Sequence, residues 1–162
     1  MRDLGTSEAF AIGAVGQPGD RVFLFQVITQ DEALTIVAEK FQIAAFCLRG
    51  RELLAEIGFL DAGAAIAVEL EGPFEPDFRV GDMVLNYREQ TGLIVVELEP
   101  AQGYDAVGIE FTVTPAQLDA AVAHGADAVE GGRPKCPRCG LAMDPEGHPC
   151  PSTNGNLRGH RP

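Results

Sequence analysis

Cys136-x-x-Cys139 is followed, after eight intervening residues, by His148 and then by Cys150, so three of the four cysteines of the chain lie within fifteen positions. Thiolate sulfur and imidazole nitrogen are the donors from which four-coordinate Zn²⁺ sites are built, and a Cys-x-x-Cys turn brings two sulfurs to one side of a tight knuckle. Pro137 pre-sets a backbone angle inside that knuckle and Gly140 permits the turn after it. His148 and Cys150 complete the set from the other side. In an extended segment their side chains would point to opposite faces, so Pro149 and Pro151 must supply a bend between them. His160 is the alternative fourth donor. The expected site is a structural Zn²⁺ held by Cys136, Cys139, His148 and Cys150. With all four positions taken by protein there is no room for a metal-bound water, which closes off chemistry at the ion.

The rest of the chain offers little for catalysis, and no catalytic residue is assigned. His124, on an Ala-rich helix with no Ser, Cys or Asp partner evident, reads as a solvent-facing or capping residue. Cys47 falls on the apolar face of a helical pattern, where a small buried hydrophobe is the commoner use. Glu39 and Lys40 precede that helix, and an acid there complements the helix dipole without further function. Gly16 to Gly19 could cradle an anion but lacks the Gly-x-Gly-x-x-Gly or Lys-Ser/Thr pattern of a nucleotide loop, and so reads as a turn. The enzymatic alternative is a pocket lined by residues distant in sequence, such as Arg21, Glu39, Lys40 and Tyr87.

Charge separates the chain into two regions. Residues 1–130 carry seven Lys or Arg against 22 acids, a formal −15, whereas residues 131–162 carry five against two, a formal +3. The acidic region would repel phosphate backbones, whose binding relies on Lys and Arg displacing counterions. Nucleic acid is disfavoured for the tail as well, because residues 131–162 contain no aromatic side chain on which a base could stack. At 162 residues and 46% apolar composition the chain can bury one sizeable core with an appendage. No secretory signal pattern and no apolar run long enough to cross a bilayer is present, so a soluble, cytoplasmic protein without membrane insertion is expected. The expected division is a body over residues 1–130 and a zinc-knuckle tail over 131–162.

These groups must be positioned by a β-rich body. Glu8 to Val15 reads as a strand ending at the turn Gly16 to Asp20, and Val22 to Thr29, apolar on both faces, reads as a central strand. Ala33 to Val37 is its hairpin partner. Ile43, Phe46, Cys47, Gly50, Leu53, Leu54 and Ile57 recur at helical spacing until Gly58 stops the pattern. Strands are expected over Ala64 to Leu70, Val80 to Glu89, Leu93 to Glu99 and Val107 to Val113. Thr114 and Pro115 then open a second helix as N-cap and first helical residue. The fold class is α+β: a mostly antiparallel sheet of six or seven strands with two helices, plus the small C-terminal zinc knuckle.

Val15-Gly-Gln-Pro-Gly-Asp-Arg21-Val-Phe23, Glu39-Lys40-Phe41-Gln42, and the tail from Cys136 through Cys150 to Asn154-Gly155 together resemble a bacterial family, mainly actinobacterial, catalogued as domain of unknown function 3090. The resemblance covers nearly the whole chain and implies a single-domain protein with a C-terminal zinc knuckle and no assigned reaction. Ser152 stands where the resemblance leads one to expect Arg, which argues against phosphate binding at that end. The leading expectation is a non-enzymatic zinc-binding adaptor whose partner is another protein.

Overall fold

The computed structural model describes residues 1–17, 19–59, 68–72 and 74–131. The chain divides into two units, Met1–Val129 and Glu130–Pro162, and every element named below belongs to the first. In chain order these are β1 (Arg2–Thr6), β2 (Ala9–Val15), β3 (Val22–Ile28), β4 (Ala33–Ala38), α1 (Lys40–Glu56), β5 (Phe78–Arg88), β6 (Leu93–Pro100), β7 (Ile109–Val113) and α2 (Pro115–Val129). The strands form one seven-stranded sheet in the order β1-β7-β6-β5-β4-β3-β2. Four of its pairings are antiparallel, while β1 with β7 and β4 with β5 are parallel. The body is therefore α+β with a mostly antiparallel sheet and two helices.

The sheet differs from the sequence expectation in two places. β1 was not anticipated, because Arg2 to Thr6 is polar and exposed along nearly its whole length. The expected strand over 64–70 is not seen where it can be judged: residues 68–70 lie outside any strand, and 64–67 fall outside the described residues. The backbone near them is tied instead to a side chain, since Gln26 donates to the Glu71 carbonyl (2.8 Å) and accepts from the Glu71 N–H (2.9 Å).

Strand order forces the sheet to curl. Laid flat, its edge strands β1 and β2 would stand about 29 Å apart, six inter-strand spacings of roughly 4.8 Å. Ser7 and Glu8 alone connect Thr6 to Ala9, and three peptide steps span at most about 11 Å. The pairing senses make β1 and β2 run the same way, so they form one kinked strand. At the kink the Ser7 N–H donates to Thr112 of β7 (2.9 Å) and the Glu8 N–H to Ile28 of β3 (2.8 Å). The chain thus passes from one side of the sheet to the other and closes it. Phe10, Phe25, Phe46 and Phe111 meet inside, with ring centroids 5.0–6.3 Å apart, which joins β2, β3, α1 and β7 in one core.

Both helices begin with the same device. In α1 the Gln42 Oε1 accepts from the Glu39 N–H (2.8 Å), while its Nε2 reaches the Val80 and Gly81 carbonyls of β5. In α2 Thr114 and Gln117 bond reciprocally, and the Gln117 amide reaches the Ser7 and Glu8 carbonyls. Each glutamine satisfies a helix terminus and fixes it to a strand. α1 ends where Gly58 takes φ +73°, with the Phe59 N–H on Leu54 and the Gly58 N–H on Ala55, the bond pattern of a Schellman close. The helices approach each other and β2 closely at two glycines. A Cβ on Gly50 would fall 2.7 Å from Val122, and one on Gly125 would fall 2.8 Å from both Cys47 and Ile12.

Candidate functional site

The two side chains of the body most suited to acid-base or nucleophilic work are held in packing. Cys47 is 3% exposed beneath Gly125. Burial pushes its thiol up to about 11, only partly offset by the Arg51 charge, so at neutral pH it is a protonated hydrophobe and a poor nucleophile. His124 is half-buried, contrary to a solvent-facing reading, and its Nδ1 lies 2.6 Å from the Ile12 carbonyl oxygen. A carbonyl can only accept, so Nδ1 carries the proton. The Ile12 carbonyl belongs to β2, a terminal strand in the sheet order, and His124 of α2 occupies it.

The residues of the two N-terminal motifs collect at one end of the sheet. The β2–β3 turn closes on the pair Val15 and Val22, and Phe23 lies opposite Ala38 in the ladder, so Arg21 and the Glu39–Lys40 segment leave the sheet together. The Arg21 Nη1 donates to the Ala128 carbonyl (2.8 Å), a cation placed on the negative end of α2. Glu39 pairs with Arg79 of β5 at 2.6 Å, with both side chains largely exposed, which makes it a modest stabiliser. Beside these charges Phe41 is 71% exposed and Val22 is 45% exposed. An aromatic ring standing in water with charged neighbours is a feature of partner-binding surfaces.

Of the four residues proposed as a dispersed pocket, Arg21, Glu39 and Lys40 share this end. Tyr87 does not. It sits eight residues beyond Arg79 on β5, about 25 Å along an extended strand. The residues expected to hold a metal, Cys136, Cys139, His148 and Cys150, and the alternative His160, lie outside the described residues. Among the described residues no group of three or more His, Cys, Asp or Glu side chains is arranged to hold a metal ion, and no helix is long and apolar enough to cross a membrane.

A family model described as protein of unknown function (DUF3090) matches residues 3–150. The chain belongs to that family. The DUF3090 match takes in both N-terminal motifs and runs through Cys136, Cys139 and His148 to Cys150, stopping short of His160. No curated protein and no solved structure matches the chain.

Sequence reasoning passed over two residues of this DUF3090 body, one that ties its backbone and one that stands on its surface. Gln26 is a lone amide in an otherwise apolar central strand, and a buried amide demands partners, so its position already called for a backbone segment across that face. Phe41 was read only as part of a motif. Its place in the first turn of a helix whose buried face begins at Ile43 marks it as outward-facing.

Proposed function

We propose that this DUF3090 protein is a non-enzymatic adaptor, with a structural Zn²⁺ held in its C-terminal segment by Cys136, Cys139, His148 and Cys150 and a body that engages another protein. The observation that carries this reading is how the soft donors are divided. In the body the single cysteine is buried and the single histidine is bonded to Ile12, while every other cysteine lies within the Cys-x-x-Cys, His-x-Cys set. The family match ends at Cys150, which favours His148 over His160 as the fourth donor. A four-donor set of this kind stabilises a segment too short for a core of its own. The exposed Phe41, beside Val22 and the Glu39–Arg79 pair, is the anchor best suited to a protein partner.

Elemental analysis of the purified full-length chain tests the metal. About one zinc per chain is expected, with Cys139→Ser losing most of it, and metal-free protein with all four donors intact would overturn the reading. The adaptor role is tested by affinity isolation from the native cells. A partner captured by the wild type and lost with Phe41→Asp, the variant melting as the wild type does, is the expected result. Failure to capture any reproducible partner counts against the role.

A further inference from the structure

β5 is the longest strand and is paired unequally on its two sides. β6 pairs with Val80 and with Met83 to Arg88. On the other side β4 pairs only with Phe78 and Arg79, and Gln42 takes the Val80 and Gly81 carbonyls. A bulge between Val80 and Met83 then separates this stretch from the rest. Among the described residues, no backbone hydrogen bond from outside the β5–β6 hairpin reaches Asp82–Arg88. Five of those seven residues are exposed, including Val84 (38%) and Tyr87 (36%). The segment contains neither Lys nor Pro, two of the devices by which natural edges are kept from recruiting a further strand.

We infer that this edge pairs with the same edge of a second copy, joining two sheets across a two-fold axis at Leu85. An axis perpendicular to the sheet makes the strands antiparallel and keeps each face on its own side, so paired residues share parity. Centred on Leu85, Asp82 falls opposite the second copy's Arg88, Met83 opposite its Tyr87, and Val84 opposite its Asn86. The charge pair occurs twice by symmetry. Moving the centre to Val84 or Asn86 leaves Asp82 and Arg88 without each other, and a parallel in-register pairing sets like charges together. Opposite charges directly across a ladder are favourable and like charges are not, so charge selects one register. Arg88 already bonds Glu110 at 3.2 Å, with half of its side chain exposed, and a surface pair of this kind yields readily to a second carboxylate. The inference stands apart from the zinc and adaptor reading and survives if that reading fails.

The test is sedimentation of the full-length protein up to high micromolar concentration. A concentration-dependent dimer is expected, weakened about ten-fold or more by Asp82→Arg or by Arg88→Asp, and restored in the variant carrying both exchanges. Glu110→Gln, which removes only the intramolecular bond, should leave dimerisation unchanged. Hydrogen exchange on the unaltered protein gives a readout that needs no variant: the amides of 82–88 should gain protection as concentration rises. A wild type that stays monomeric throughout, a dimer indifferent to the single exchanges, or a double exchange that fails to restore it would overturn the proposal.

Discussion

The β2–β3–β4 portion of the sheet is buried on both faces, whereas the β5–β6–β7 portion largely shows its outer face to water. On the first, Ala11, Leu24, Gln26, Thr35 and Val37 are buried although they point away from the aromatic core. Leu70 approaches Gly13 there, and the Glu71 backbone is held by Gln26. On the second, Val84 and Asn86 are exposed and Glu97, Glu110 and Thr112 are partly so. The same contrast is written in the strands, Val-Phe-Leu-Phe-Gln-Val-Ile in β3 against Ile-Glu-Phe-Thr-Val in β7. A continuous apolar run and a strict alternation report how many faces are covered, so one closed sheet holds two kinds of strand.

Substitutions on the outer faces test this contrast most directly. Leu24→Ala should cost about 3 kcal/mol of unfolding free energy, as for a core leucine, while Glu97→Ala at a partly exposed outer-face position should change stability by no more than about 0.5 kcal/mol. Denaturant melts decide it, and equal effects at the two sites would erase the distinction. Gln26→Ala comes next, at roughly 2 kcal/mol, because it strips both partners from the Glu71 peptide at once; hydrogen exchange should show the Glu71 amide losing protection while α2 is unaffected. Thr112→Ala, which removes only a surface bond to Thr6 at 3.3 Å, should cost about 0.5 kcal/mol or less. A larger loss would mean that the outer face of β7 is more enclosed than its exposure indicates.

What could be read from the chain depended on how local the cause was. Both helices were legible because three- and four-residue spacing, a Gly58 stop and a Thr114–Pro115 start all act within a few residues. β3 and its hairpin partner β4 were legible for the same reason. β1 was not: Arg2, Asp3, Gly5 and Thr6 carry no apolar pattern, and the segment is a strand because β7, a hundred residues away, supplies its bonds. The parallel meeting of β4 and β5 is equally non-local, as is the convergence of Arg21 with Glu39 and Arg79. For the proposed metal site, residue type and spacing nominate Cys136, Cys139, His148 and Cys150, but the bend the proposal requires between His148 and Cys150 is a matter of backbone geometry that spacing does not encode.

The kink at Ser7 and Glu8 has a consequence for how the protein comes into being. Arg2 finds its ladder partner at Ile109, so β1 waits for a segment made more than a hundred residues later, near the end of the body. A nascent chain shorter than this cannot close its sheet, and pairings across so much sequence slow the search for the native state. Completion of the fold therefore belongs after synthesis of β7, with β1 as the clasp that fastens last.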